Sequence, residues 1–414
     1  MTAPATDRAP GLSSGRPALR RLVAHDLARF AADVWGQRPL LSRAAELPAG
    51  FADLLDEKGV DELVSRRGLR APFLRVAKEG KTFSDRSFTA PGGVGAGVAD
   101  QVSDDKLLAL FSDGATLVLQ GLHRLWPPLL DFSQALAADL GHPVQVNAYV
   151  TPPQSRGFDA HYDVHDVFVL QIAGTKRWRL HRPVHPLPLR HQPWTDHRGA
   201  VEAEADTEPL MNVALEPGDC LYLPRGQLHA ATALGGISAH VTIGVHPWTR
   251  YSLAEQLVAE AMARLCEEES IRGALGVGAV VDDQQSAPDL DLVRARLLAA
   301  VSEVRAEDVA ARLGRHARDA QRAAPLGPLA QHRVASSLHS TDMLALRPHL
   351  AATLVHGTDG QATLRTRAGD IDLSPDELTA VRPLLGGDAC AAGEVGLDLA
   401  RRLMLAAILV VDGR

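Results

Sequence analysis

Lysine is scarce in this chain of 414 residues. Only five of its 43 basic residues are lysines (Lys58, Lys78, Lys81, Lys106 and Lys176), so a lysine in a chemically suggestive place stands out. Cysteine is scarcer. Cys220, Cys266 and Cys390 are far apart and in no metal-like spacing, which argues against a disulfide scaffold and for a reducing, cytoplasmic setting. Aromatic residues make up 4% of the chain. The longest apolar run, residues 403–411, is far too short to cross a bilayer, so no membrane role is expected. Residues 1–19 are rich in Pro, Ser, Gly and Arg without an apolar stretch, which predicts a flexible lead-in and not a signal peptide. A net charge of −7 speaks against a protein that coats nucleic acid. What is present, 46% hydrophobic and 22% charged residues, describes an ordinary soluble chain of several domains.

Helical spacing of apolar residues predicts a helix over 20–35 and another over 129–140. Residues 83–100, around Pro91-Gly92-Gly93-Val94-Gly95, lack the lysine of a phosphate loop and are expected to form a surface loop. From residue 115 the texture becomes that of short strands: 115–119, 144–150, 167–172, 176–181, 213–215, 219–223 and 238–245. Such spacing, punctuated by Gly and Pro, indicates a sandwich or barrel. The Pro- and His-rich stretch 182–206 is expected to be a long loop over it. Helices are expected again over 252–269 and 290–313. The end of the chain mixes strand-like 352–355 and 363–366 with helical 374–382 and 397–407, the pattern of a winged-helix-like module. From Asp342 onward it carries seven arginines, no lysine and ten acidic residues, so direct DNA binding is not expected.

Among seventeen histidines one begins a His-x-Asp tripeptide, His161-Tyr162-Asp163. Residues i and i+2 of an extended strand share a side, so this imidazole and carboxylate can share one metal ion. The segment Gly218-Asp219-Cys220-Leu221-Tyr222-Leu223-Pro224-Arg225-Gly226-Gln227-Leu228-His229 supplies a turn, a strand, a second turn and then a histidine. Two imidazoles and one carboxylate form the facial triad of non-haem Fe(II) oxygenases, with positions left open for co-substrate and O₂. Such enzymes commonly consume 2-oxoglutarate, whose far carboxylate needs a fixed cation. Lys176 is placed for this on the next expected strand, after a glycine turn at Gly174 that returns the chain beside His161 and Asp163.

The segment from His161 to Arg179, with Asn147-Ala148-Tyr149-Val150-Thr151-Pro152-Pro153 before it and the His229 segment after it, resembles the core of the JmjC-type cupins, closest to the ribosomal oxygenases (cupin-4 proteins). The likeness is specific over 145–245 and weaker over the rest of 20–414. It implies an α+β chain: a flexible 1–19, a JmjC/cupin double-stranded β-helix domain over 20–250 with its core at 115–250, a helical dimerisation region over 251–335, and a winged-helix-like domain over 336–414. It implies an Fe(II)- and 2-oxoglutarate-dependent hydroxylase of arginine or histidine side chains in a ribosomal protein, working as a homodimer. His161, Asp163 and His229 would hold iron, Lys176 the far carboxylate, and Asn147 the oxo-acid end of the co-substrate. Tyr149 would line the substrate groove, and Ser238, His240 and Thr242 alternate along the last strand toward the pocket. His240 competes with His229 as third ligand. His165 shares the face of Asp163, and Arg177 is assigned no more than strand support. Other readings are hydroxylation of a peptide or natural-product precursor, N-methyl-lysine demethylation, and a non-catalytic cupin that binds a partner. The rim of the family motif is less acidic here, and Asp159, Asp166 and Asp196 are left as carboxylates to receive an arginine.

Overall fold

A computed structural model describes residues 16–277, 283–357 and 361–412. The chain divides between Pro247 and Trp248 into two compact units. The first opens with α1 (Pro17–Arg20), α2 (Leu27–Asp33), β1 (Leu40–Ser42), α3 (Glu57–Arg66), β2 (Leu74–Lys78), β3 (Lys81–Thr82), β4 (Thr89–Ala90), β5 (Gln101–Val102) and α4 (Asp104–Ser112). It continues through β6 (Thr116–Leu119), α5 (Leu122–Leu125), α6 (Pro127–Leu140), β7 (Val144–Thr151), β8 (Asp166–Leu180), α7 (Arg198–Ala205), β9 (Met211–Leu215), β10 (Cys220–Leu223) and β11 (His229–Val245).

Nine strands form one antiparallel sheet in the order β1-β10-β8-β11-β7-β6-β2-β3, with β9 on the second half of β8. This is the jelly roll of a cupin. Its long strands β8 and β11 serve two partners each: β8 meets β10 through residues 167–170 and β9 through 176–180, while β11 lies along nearly all of it. One face of β6, β7 and β11 packs Leu117, Val150 and Ala239 into the main core beneath the N-terminal helices. The opposite face turns Thr116, Tyr149 and His240 toward a cavity. Alternation along a pleated strand thus separates core from site.

Several expectations are corrected. Residues 16–19 belong to the fold, since Ala18 and Leu19 of α1 are buried, while residues 1–15 lie outside the described residues. The helix expected over 20–35 is broken, because the Asp26 side chain accepts from the backbone N–H groups of Ala28 and Arg29 and starts α2 afresh. The stretch 182–206 is not all loop: Trp194–His197 is a 3₁₀ turn and α7 follows, held by buried Val201. The glycine turn expected at Gly174 is no turn either. β8 runs straight through it, and Gly174 sits at φ +58° facing the irregular stretch 234–239 of β11. A Cβ there would fall 2.0 Å from the Ile237 carbonyl oxygen.

The second unit opens with α8 (Arg250–Leu265), α9 (Glu269–Arg272), α10 (Asp283–Glu303), α11 (Ala306–Asp319) and α12 (Pro328–Ser336). The helix expected over 290–313 is two. Arg305 is extended, which interrupts the helix, and its side chain pairs with Asp308 in the first turn of α11. Ala261, Leu265 and Ala300 form a small core here, and a separate core runs from Ala335 to Leu409. The latter is built from a sheet of 343–346, 390–391 and 409–411, a meander of 353–356, 362–366 and 369–373, and helices Pro375–Leu385 and Leu397–Leu405. Among the described residues no helix is long and apolar enough to cross a membrane.

Gly174→Ala should lower stability by about 1–3 kcal/mol. Gly235→Ala, at a similar φ of +68° but with nothing within 4 Å, should cost clearly less. Thermal unfolding of the full-length variants reads the difference; equal losses would show that the Ile237 contact does not matter.

Candidate active site

The ligand tripeptide is not on a strand. His161 to Asp163 lies in the extended approach to β8, and it is held by an isolated antiparallel bridge. The His161 N–H donates to the His229 carbonyl at 3.1 Å, and the His229 N–H returns a bond to the His161 carbonyl at 2.9 Å. His229 opens β11, so these two bonds set the tripeptide against the first residue of the longest strand. One ligand atom from each of His161, Asp163 and His229 then lies within 4.8 Å of the others, and among the described residues no other group of three does so. In the histidine-bearing stretch 181–197, His185 and His197 stack at 4.5 Å.

The donor chemistry fits a metal. Nδ1 of His161 lies 2.7 Å from the Asp159 carbonyl, and Nδ1 of His229 lies 2.9 Å from the Gln227 carbonyl. A carbonyl oxygen only accepts, so both Nδ1 atoms carry the proton and both Nε2 lone pairs are left for a cation. Burial, with His161 beside it, pushes the His229 imidazole down to about 4, so it is neutral at pH 7. Burial works to raise the Asp163 carboxyl, but His165, His161, His229 and His246 outweigh it and hold it below its ordinary value. Two imidazoles that present Nε2 and an ionised carboxylate form a set suited to Fe(II) or a similar divalent ion.

His161, Asp163, His229, Lys176, Tyr149, His240 and Thr242 line one cavity, closed by Phe158 and Trp178. Lys176 is 4% exposed, and its ammonium donates to Thr151 Oγ1 at 3.1 Å, a hydroxyl that in turn accepts from Thr116 Oγ1. Among the described residues it has no carboxylate partner, and burial pushes it down to about 7. An anion entering this cavity would meet an uncompensated cation. His240 is not part of the ligand group. It stacks flat on Tyr149 at 5.0 Å and edge-on to Trp178, and burial holds it well below the usual imidazole range. Burial also pushes the Tyr149 phenol up to about 12.

Three expected residues lie elsewhere. Asn147 lines an adjoining hollow of about 440 Å³, which shares Tyr149, Asp163 and Thr242 with the cavity, and its Oδ1 accepts from the Gly121 N–H. Ser238 lines neither; it is buried against Gln171, whose amide nitrogen lies 3.0 Å from its hydroxyl. His165 faces the hollow and pairs with the Gln145 amide at 2.9 Å. Arg177 is exposed on β8. Thr151, Thr116 and Trp178 went unnoticed in the sequence. Trp178 carried a signal, since it stands two residues beyond Lys176 on the same face. Thr151 and Thr116 carried none, because strands distant in sequence bring them to Lys176.

A jelly roll with a His/Asp/His group at its mouth defines a cupin of the metal-binding kind. Residues 130–253 match the JmjC domain model. The chain is 30% identical over 295 residues to ribosomal oxygenase 1 of Rattus norvegicus, covering 70% of this chain and 46% of that protein. It is 29% identical over 252 residues to the bifunctional lysine-specific demethylase and histidyl-hydroxylase NO66 of Drosophila persimilis, covering 59% and 34%. The chain thus spans less than half the length of these curated relatives. In fold it is similar to the crystal structure of the Escherichia coli ribosomal oxygenase YcfD, with a TM-score of 0.52 and 15% identity over 94% of this chain and 99% of that one. Residues 130–253 thus carry a JmjC domain, and over more than half of its length the chain is similar to curated ribosomal oxygenases.

The unpaired Lys176 predicts a pH signature. Between about pH 7 and 10.5 the unfolded chain keeps a proton on this amine that the folded chain has released, so the stability lost by burying it returns as pH rises across that window. Lys176→Met should therefore stabilise the ligand-free protein at pH 6 by on the order of 3 kcal/mol, with the gain fading toward pH 10. Urea unfolding of both proteins across this range is the measurement; a gain that does not vary with pH would mean that the amine is neutral or compensated.

Proposed function

We propose that this chain is an Fe(II)- and 2-oxoglutarate-dependent oxygenase that hydroxylates a protein side chain, with a ribosomal protein as substrate. The observation that carries the reading is the pairing of a tautomer-fixed His161/Asp163/His229 group with a buried Lys176, held by the Thr151 hydroxyl and by no carboxylate among the described residues, in one cavity. The names of the relatives support it, and so does a structure of YcfD in complex with cobalt and 2-oxoglutarate, which shares the fold at 16% identity. In this reading His161, Asp163 and His229 hold the metal. Lys176, with the Thr151 hydroxyl, fixes the far carboxylate of the co-substrate. Asn147 and Thr242 border its oxo-acid end from the adjoining hollow, and Tyr149 lines the substrate groove. Bound metal, 2-oxo acid and O₂ supply the oxidising power for C–H hydroxylation. The chain's residues position the reactants and keep bulk water from a cavity walled by Val167, Val169, Leu223 and Trp178.

The hollow beside the metal group favours a neutral imidazole over a guanidinium as target. Its lining includes Arg75 and Arg124, and its one carboxylate is Asp163. The three carboxylates left open for an arginine are engaged or distant: Asp159 pairs with Arg156, Asp166 is buried on Tyr222 and Arg225, and Asp196 lines neither hollow nor cavity. Self-association through the helical region 251–335 belongs to the same proposal. Leu253, Val258 and Met262 on α8 are exposed apolar residues that a second copy would cover. The three free cysteines are in keeping with a cytoplasmic setting.

Asp163→Ala or His161→Ala should abolish divalent-metal binding and 2-oxoglutarate turnover, read by equilibrium dialysis with Mn(II) and by succinate release. Retention of both in either variant refutes the assignment. Intact-mass comparison of ribosomal proteins from cells with and without the gene should show one protein heavier by a single oxygen atom. Loss of a methyl group on a lysine instead would favour demethylation, and no change on any would remove the ribosomal substrate.

A further inference from the structure

On the far side of the sheet from the metal cavity, α3 and α4 stand apart over a groove of about 620 Å³. The same strands supply both sites by alternation, with Thr116, Tyr149 and His240 facing the cavity and Leu117, Val150 and Ala239 forming the floor of the groove. Its walls are Val60, Val64 and Phe111, and at its lip stand Leu108 and Ile237, 67% and 41% exposed. Exposed branched apolar side chains at the mouth of an apolar trough mark a surface that gains by being covered.

The rim is of one sign. Glu57 and Asp61 stand one turn apart on α3, and Asp104 and Asp105 open α4; no lysine or arginine lines the groove. Among the described residues none of the four carboxylates has an ion-pair partner. Two of the nearby cations are turned elsewhere, the Lys106 ammonium donating to the carbonyls of Arg86 and Thr89 and Arg67 pairing with Glu62, while Lys58 and Arg66 of α3 do not line the groove. Helix-terminus electrostatics account for Glu57, Asp104 and Asp105, each in a first turn, but not for Asp61 in the middle of α3. Four like charges around an apolar trough complement a ligand with the opposite arrangement: apolar residues along one face and cations flanking it.

We propose that this groove is a docking site for a cationic amphipathic segment of a protein partner, on a surface separate from the metal cavity. It rests on the reading of a protein substrate only in that such a segment would hold the substrate while another part of it reaches the metal. Docking itself does not depend on the oxygenase chemistry.

The test uses the full chain and a fluorescently labelled helical peptide of leucines and lysines, with apolar residues at i, i+3, i+4 and i+7, followed by anisotropy. Binding should weaken at least tenfold in the Asp61→Lys/Asp105→Lys variant and severalfold when salt is raised from low to physiological strength. It should also weaken when the peptide's leucines become serines, and vanish when its lysines become glutamates. The Glu303→Lys/Asp388→Lys variant, with the same change in net charge on the second unit, should bind as the unchanged protein does. Equal loss in both variants would mean that the peptide reads net charge alone, and that overturns the proposal. So would absence of binding, or self-association of the chain that is lost in the Asp61→Lys/Asp105→Lys variant. Succinate release measured on the same samples keeps the outcomes apart, since failed docking with intact turnover leaves the oxygenase reading standing.

Discussion

Two backbone hydrogen bonds between His161 and His229 are the constraint on which the site depends. They lie outside the continuous ladders of the sheet, and they join an irregular approach to β8 with the start of β11. With a third bond, from the Gly226 N–H to the Asp163 carbonyl at 2.9 Å, they set the tripeptide against a ligand that stands 68 positions later in sequence. The carbonyls of Asp159 and Gln227 complete the arrangement, each holding one Nδ1 proton so that each Nε2 is presented inward. Backbone geometry therefore determines both the distance between the imidazoles and their tautomers.

The second element is a deliberate imbalance. Lys176 is surrounded by the hydroxyls of Thr151 and Thr116 and by rings, with no acid to offset its charge. A buried ammonium of this kind costs the empty protein stability, and the cost is relieved by an anion. The fold tolerates it because the adjoining strands bury a continuous apolar core on their other face, from Leu74 and Val76 to Val241 and Ile243. Stability is gathered on one side of the sheet and held back on the other, the pattern expected where ligand binding makes up the difference.

Much of the site was legible because its signals are local. The His-x-Asp tripeptide, the Pro-Arg-Gly turn before His229, and one lysine in an arginine-rich chain are all readable along the sequence, and the structure brings these residues into a single cavity. For Lys176 the local signal marks the right residue but the wrong backbone path. A glycine was read as a reversal, whereas Gly174 accommodates the close passage of the Ile237 carbonyl within an unbroken strand. Ser238 failed for a related reason. Strict alternation carries it to the pocket, but β11 shifts register between Leu234 and Ala239 and its hydroxyl finds Gln171. The break in the N-terminal helix depends on a cap formed by the Asp26 side chain folding back on its own backbone, and the split of α10 from α11 on the extended backbone of Arg305, neither of which apolar spacing records.

By itself the sequence determined the kinds of group available: two imidazoles, a carboxylate and a scarce lysine at spacings compatible with one face of a small barrel. Periodicity also marked which segments extend and which coil, because apolar spacing is a property of the chain alone. Only the tertiary structure decided which groups meet. It set His240 against Tyr149 and away from the ligands, placed Asn147 in the neighbouring hollow, and gave Lys176 a hydroxyl in place of a carboxylate. The reason is physical: contacts between strands far apart in sequence depend on register and bulges, and these are settled by packing across the whole sheet.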